Sequence, residues 1–235
     1  MRILIISGGS LNEEFAKDFL KLREGGRAYD RRIAADSGLD SYEKLGILPT
    51  DVLGDFDSLK NRELLEKCQN EDIGIRTYPV RKDYTDTHIA LKFAMELIEQ
   101  DRKARGTSEE EYGEDLVELL GATGTRLDHT MANIGLLSKM ADHGIIAKIY
   151  DANNQISFWH GPKTLTIERE EDFKYISLIP CSREVTGITL KGFSFPLEDA
   201  SLGRYESMGI SNEIVDPRAQ LSFDSGELLL IRSRD

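Results

Sequence analysis

Cysteine is nearly absent from this chain of 235 residues: only Cys68 and Cys181 occur, far apart and with no CxxC spacing. That leaves no disulfide framework and no cysteine metal motif, so both thiols are expected to be buried and reduced. Histidine is scarce too, and His88, His143 and His160 show no metal-ligand spacing and are expected to be structural. No run approaches the ~20 apolar residues that span a bilayer. MRILIISGG passes from a short apolar run straight into glycines, too short for the apolar region of a signal peptide and without a small-residue cleavage pattern. Basic charge is in deficit, with 30 Lys and Arg against 42 Asp and Glu and a formal net charge of -12. This argues against a nonspecific grip on nucleic acid, which needs a basic face, but not against one local basic pocket. The expectation is a cytoplasmic protein with neither nucleic acid nor membrane as partner. Internal repeats are also lacking.

What is present falls into two rhythms. Over the first two-thirds, strand-like and helix-like segments alternate: Arg2 to Ile6, then a helix over Leu11 to Leu22; Ile33 to Ala35, then Leu39 to Leu45; Asp51 to Leu53, then Glu63 to Cys68. Ile73 to Tyr78 reads as a strand, and Thr85 to Gln100 is the clearest helix, with Ile89, Phe93 and Leu97 on one face. A charged stretch, Asp101 to Glu114, reads as a solvated loop or helix extension. Leu116 to Leu120, a helix over Asp128 to His143, and Ile145 to Tyr150 follow. Strand, polar or glycine turn, then helix, repeated, predicts an α/β fold with a mostly parallel sheet covered by helices on both faces. Beyond about Ala152 the segments are short and β-rich: Ile156 to His160, Thr164 to Ile167, Tyr175 to Ile179, Thr186 to Leu190, Ile210 to Val215, Ala219 to Phe223 and Leu228 to Ile231. They predict an antiparallel sandwich or barrel, and hence two domains, 1–151 and 152–235.

Ligands of open α/β sheets bind outside the carboxyl ends of the strands, and the unusual residues of this chain gather there. They are SGGS with Gly8 and Gly9, ADSG with Asp36, GDFDS with Asp55 and Asp57, KDYTD with Lys82, Asp83 and Asp86, and GATGTRLDH with Arg126 and Asp128. If GDFDS stays extended, Asp55 and Asp57 point to one side and Phe56 to the other. Such a pair suits a hard divalent cation, which removes their repulsion; the alternative is a turn whose aspartates cap the next helix. Asp83, Thr85 and Asp86 open a helix, where acidic residues also serve as caps and dipole partners. Lys82 and Arg126, beside glycine turns and helix starts, suit phosphate. Neither glycine turn is a Walker A loop, since no GK[ST] follows. Taken together, metal carboxylates, phosphate cations and glycine turns are what phosphoryl transfer from a nucleotide requires.

The motifs ADSG, PTDVLGDFDSL, KDYTD and GATGTRLDHTMANI, then GFSFPL and GISNE, in this order and over nearly the whole chain, resemble those of the thiamine pyrophosphokinase family. The resemblance implies an N-terminal α/β domain carrying ATP, a C-terminal antiparallel β-sandwich helping to hold thiamine, and a homodimer with active sites between subunits. It implies transfer of the pyrophosphoryl group of ATP to the thiamine hydroxyl, giving thiamine diphosphate and AMP, with Mg2+. By the same resemblance Asp55, Asp57, Asp86 and Asp128 are catalytic and, with Asp83, bind the metal. Asp86 or Asp128 would orient or deprotonate the attacking hydroxyl. Gly8, Gly9, Asp36, Lys82 and Arg126 would hold ATP, and Phe195, Ser211 and Asn212 would hold thiamine, an aromatic face suiting its cationic ring. Trp159, the only tryptophan, matches no motif and is expected in the core.

Thr125 stands where the family commonly has glycine, His88 where an acidic residue is frequent, Phe195 where a larger aromatic is usual, and the charged stretch 101–114 is longer than usual. Two other readings stay open on the residues alone: a Mg2+-dependent phosphohydrolase with Asp55 as nucleophile, or a thiamine or nucleotide sensor without catalysis.

Overall fold

A computed structural model describes residues 1–26, 28–57, 59, 63–71, 73–106 and 114–235. Ser58 of the GDFDS stretch and residues 107–113 of the charged segment lie outside the described residues. The chain divides into two compact units, Met1–Ala152 and Asn153–Asp235.

Among its described residues the first unit holds six strands, β1 (Arg2–Ile6), β2 (Arg31–Ala35), β3 (Asp51–Gly54), β4 (Gly74–Thr77), β5 (Leu116–Leu120) and β6 (Ile146–Tyr150). Every pairing is parallel and the spatial order is 6-5-1-2-3-4. Helices α1 (Glu13–Glu24), α2 (Gly38–Leu45), α3 (Glu63–Asn70), α4 (Asp86–Arg105) and α5 (Leu127–Asp142) fall between the strands. Leu4 and Ile6 of β1 pack with Phe19 and Leu20 of α1, Leu39 and Tyr42 of α2, and Leu64 and Cys68 of α3. Helix α4 packs on β1, β2 and β3 and against α5. A sheet covered on both faces has no solvent side, which is why β1 reads as an unbroken apolar run with Ile3, Leu4, Ile5 and Ile6 all fully buried. The strand order reverses between β1 and β5, and this switch point opens the crevice that α/β sheets use for ligands.

Helix limits follow local chemistry. Asn12 caps α1 by accepting from the Phe15 N–H at 2.9 Å, and Thr85 caps α4 by accepting from the His88 N–H at 3.3 Å. Thr85 therefore precedes the helix it was expected to begin. The charged run extends α4 to Arg105, where Gly106 takes a left-handed φ of 63° and ends it.

The second unit is built from two antiparallel sheets. One has the order β12 (Asn212–Glu213), β9 (Tyr175–Pro180), β14 (Glu227–Ser233), β7 (Asn154–His160). The other has β11 (Leu197–Gly203), β10 (Glu184–Lys191), β13 (Arg218–Phe223), β8 (Lys163–Glu168). Ile176, Leu178, Leu228 and Leu230 from the first sheet share one core with Val185, Ile188, Leu190, Leu221 and Phe223 from the second, so the unit is a sandwich. Trp159 packs against that core and donates its indole N–H to Ser157 Oγ at 2.9 Å. Strand β11 was not expected from the sequence. Its residues LEDASLG bury only Leu202, and its pairing with β10 is broken by register shifts, so no alternation marks it. Ile210 to Val215, conversely, forms only the two-residue β12.

Candidate active site

Two glycine turns meet at the switch point. Backbone N–H groups of Ser7, Gly9 and Ser10 donate to the carbonyls of Leu120, Gly121 and Thr123 at 2.9, 2.8 and 2.9 Å. The turns approach so closely that a Cβ on Gly9 would lie 2.4 Å from Gly121 O and 2.5 Å from Thr123 O. Asn133, buried on α5, donates Nδ2 to Ala122 O at 2.7 Å, and Thr123 Oγ1 donates to Asp151 Oδ2 at 2.9 Å, holding the second turn from both sides. Thr87 Oγ1 donates to Ser7 Oγ at 3.1 Å, joining α4 to the first turn. Asn133 and Thr87 were not singled out from sequence, and Ser7 entered only as part of the SGGS turn. The apolar pattern around Asn133 and Thr87 gives them the look of ordinary helix residues, and only burial with a hydrogen-bond partner in a glycine turn marks them.

A cavity of about 860 Å3 opens over these turns, lined by Gly8, Gly9, Asp36, Asp55, Asp57, Lys82, Asp83, Asp86 and Arg126 among others. Asp36 follows β2 and extends its ladder, its N–H donating to Leu53 O at 2.7 Å. It packs against Gly54, where a Cβ would sit 2.9 Å from the Asp36 Cα. Asp36 and Phe56 are non-glycine residues at positive φ, 49° and 59°. Such strain persists where surrounding structure enforces it, often at functional sites.

The extended geometry expected for GDFDS is not what brings the carboxylates together. β3 ends at Gly54, and the left-handed Phe56 turns the chain so that the Asp57 N–H donates to Asp55 Oδ1 at 3.2 Å. Phe56 nonetheless enters the core beside Val52 and Leu64. The turn brings Asp55 and Asp57 to Asp36, one oxygen of each lying within 4.8 Å of the others. Asp36 is only 9% exposed, and among the described residues its Oδ1 has no hydrogen-bond partner. Burial, then the charges of Asp86, Asp55 and Asp57, outweigh a hydrogen bond from the Ser37 backbone and raise its pKa.

Three carboxylates with oxygens this close together, one of them buried and unpartnered among the described residues, are a donor set that could hold a hard cation. Oxygens sharing one Mg2+ lie at most about 4.2 Å apart, so a small contraction closes this set around the ion. The residues present fit it.

Lys82 faces the same carboxylates. Its Nζ donates to Asp55 Oδ2 at 2.6 Å and lies 2.7 Å from Asp86 Oδ1. The hydrogen bond from Lys82 is the main reason that Asp55 is held below the usual carboxylate range. Burial opposes the Lys82 charge, but the two carboxylates prevail and raise its pKa. Asp83 lines the cavity from an exposed position, and Asp86 sits in the first turn of α4. Asp128 stands apart. It is 65% exposed, does not line the cavity, and is clasped by Arg126 through Nε at 3.2 Å and Nη2 at 2.6 Å. That clasp pushes its pKa down to about 2, which makes it a weak base at neutral pH. Of the departures, Thr125 lines the cavity, and His88 lies edge-on to the Tyr84 ring at 4.5 Å.

In the second unit Phe195 is 71% exposed and Ser211 is exposed at a φ of 59°. Asn212 is buried, and its amide is committed to the backbone. Oδ1 accepts from the N–H groups of Phe195 at 3.0 Å and Glu213 at 2.9 Å, while Nδ2 donates to Phe195 O at 2.7 Å. Asn212 thus acts as a clamp on the Phe195 segment.

A family model described as thiamin pyrophosphokinase, catalytic domain, matches residues 26–149, and one described as thiamin pyrophosphokinase, vitamin B1 binding domain, matches residues 163–228. The thiamine pyrophosphokinase of Bacillus subtilis (strain 168) is 32% identical over 203 residues, 86% of this chain and 87% of that protein. A crystal structure of thiamine pyrophosphokinase from Bacillus subtilis is similar with a TM-score of 0.81 and 29% identity, covering 100% of both chains. One from Geobacillus thermodenitrificans is similar with a TM-score of 0.77 and 33% identity, covering 100% of this chain and 98% of the other.

Proposed function

The chain belongs to the thiamine pyrophosphokinase family, and we propose that it takes the pyrophosphoryl group from ATP, with Mg2+, and passes it to the thiamine hydroxyl, leaving thiamine diphosphate and AMP. The diphosphate-transferring activity on thiamine rests on family membership. The choice of ATP and Mg2+ rests on the cavity. One observation carries it: the convergence of Asp36, Asp55 and Asp57 within 4.8 Å, with the buried Asp36 Oδ1 unpartnered among the described residues, at the sheet's switch point.

Asp36, Asp55 and Asp57 are the residues that would hold Mg2+. When bound, that ion neutralises charge developing on the bridging and departing phosphate oxygens. The chain's own contribution is positioning, because phosphoryl transfer needs little covalent help from protein groups. The N-terminus of α5 offers N–H donors to phosphate oxygens, and Gly8 and Gly9 line the cavity where the nucleotide would lie. Lys82 and Arg126, both lining the cavity, supply cations for the polyphosphate. Asp86, which lines the cavity where Asp128 does not, is assigned to orient the attacking hydroxyl. Phe195 presents an exposed ring for the cationic thiazolium, with Ser211 beside the segment that Asn212 clamps. Asp83 and Asp128 serve this reading as outer charges and not as holders of the ion.

The proposal includes a cytoplasmic homodimer with active sites at the subunit interface. Leu127 and Met131, exposed one turn apart on α5, support an apolar contact there. Among the described residues no helix is long and apolar enough to cross a membrane.

The decisive assay incubates purified protein with ATP, Mg2+ and thiamine and resolves the products. Thiamine diphosphate and AMP are expected, with AMP strictly dependent on thiamine. Thiamine monophosphate with ADP would overturn pyrophosphoryl transfer, and phosphate release without thiamine would favour a phosphohydrolase.

A further inference from the structure

Asp55 belongs to two charge groupings at once. One of its oxygens lies with those of Asp36 and Asp57 in the cation seat. Its Oδ2 accepts from Lys82 Nζ at 2.6 Å, and the same ammonium lies 2.7 Å from Asp86 Oδ1. Lys82 is largely buried, with its side chain 13% exposed, so solvent and salt screen it weakly. A positive charge hydrogen-bonded to one member of a three-carboxylate seat cancels much of the field that would draw a second cation. The seat itself is marked independently by an oxygen of Asp36 that has no hydrogen-bond partner among the described residues, on a side chain nine-tenths buried.

We propose that Lys82 is the residue that makes cation capture depend on a polyphosphate: it shields the Asp36–Asp55–Asp57 seat from free divalent ions and yields Asp55 when phosphate offers it another anionic partner. The proposal rests on the metal reading of that seat. A lysine is suited to the task because its ammonium rides on a flexible four-carbon stem and can exchange a carboxylate for a phosphate by side-chain rotation alone. Arg126 is built differently: its hydrogen bonds go to Asp128, outside the seat.

The consequence runs against the usual effect of deleting a site residue. Removing the Lys82 charge strengthens binding of a free divalent cation while weakening binding of metal-free nucleotide. The test titrates Mn2+ alone, followed by its paramagnetic resonance signal, into the wild-type protein, Lys82→Met, Lys82→Gln and Lys82→Arg, with Arg126→Met as the off-seat control. Circular dichroism checks each fold, and Lys82→Gln stands in should Lys82→Met fail to fold. Free Mn2+ is expected to bind Lys82→Met and Lys82→Gln at least about tenfold more tightly than wild type, and Lys82→Arg and Arg126→Met within a factor of about two of it. Adding Asp57→Asn to Lys82→Met should remove the gain. A non-hydrolysable ATP analogue in chelator should bind Lys82→Met at least about tenfold more weakly than wild type. Equal or weaker Mn2+ binding by the folded Lys82→Met or Lys82→Gln protein would overturn the shielding role alone. Persistence of the gain in the Asp57→Asn double variant would do the same. Absence of Mn2+ binding from every variant at millimolar concentration would overturn the seat itself.

Discussion

Replacing Asn212 by alanine separates a residue that holds a binding surface from one that forms it. The Asn212 amide makes three hydrogen bonds, to Phe195 N, Phe195 O and Glu213 N, at 3.0, 2.7 and 2.9 Å, while only 8% exposed. Its orientation is unambiguous, because only an oxygen can face the two N–H groups and only the NH2 can face the carbonyl. At about 1 kcal/mol net per bond, truncation costs about 3 kcal/mol, reduced to about 2 kcal/mol where water reaches the freed Phe195 groups. Phe195 itself is 71% exposed, so Phe195→Ala should change stability by less than about 0.5 kcal/mol. Urea denaturation measures the two losses, and steady-state kinetics completes the comparison. Both variants should raise KM for thiamine and leave KM for ATP near wild type, but only Asn212→Ala should lower the unfolding midpoint. A stability loss in Asn212→Ala with unchanged thiamine KM would show that the clamp serves the fold alone. No stability loss at all would refute the hydrogen bonds on which the reasoning stands.

Three further outcomes are expected. Gly9→Ala places a methyl 2.4 Å from Gly121 O, and backbone cannot yield as a side chain can, so a loss of about 1–3 kcal/mol and a raised KM for ATP should appear together; wild-type ATP kinetics would argue against the nucleotide lying over these turns. Glu118 is 1% exposed on β5 and accepts from Arg2 at 2.9 Å and Tyr29 at 2.8 Å, with Arg23 at 3.1 Å. Glu118→Gln leaves two arginines without their counter-charge and should cost about 3 kcal/mol, the low end of the range because Arg23 is partly exposed. Since none of these residues lines the cavity, activity per folded molecule should survive, and its loss in a folded sample would contradict that separation. Burial, with Lys139 and Lys92 nearby, lowers the His88 pKa below its ordinary 6.5. The fold therefore favours the neutral ring; its contribution to stability is full above the unfolded pKa and is lost as pH falls through the folded one. A proton NMR titration should place the His88 midpoint below that of an unfolded peptide, and a midpoint above it would reverse the sign.

Much of this architecture is legible in the chain because its signals are local. A parallel strand buried on both faces must be apolar throughout, and a helix on the sheet must repeat its apolar face, so RILII and the Ile89–Phe93–Leu97 face announce themselves. Strand β11 does not, because an edge strand burying one side chain carries no periodicity. Asp128 shows the same limit at the site. Its place in a recognisable motif says nothing of where its carboxylate goes; in the structure it is paired with the neighbouring Arg126 at an exposed position.

The chain by itself determined the two architectures, the positions of the turns and the stock of carboxylates, cations and glycines at the strand ends. Only the tertiary structure decided which of those groups meet. Asp36 reaches Asp55 and Asp57 because the parallel register pairs Ala35 with Leu53, setting Asp36 beside a glycine without a Cβ, and because Phe56 bends the chain through a left-handed φ. Neither the register nor the bend has a period that sequence can display. Both are set by the packing of strands and of the Phe56 ring into the core, which decides in turn where the charges converge.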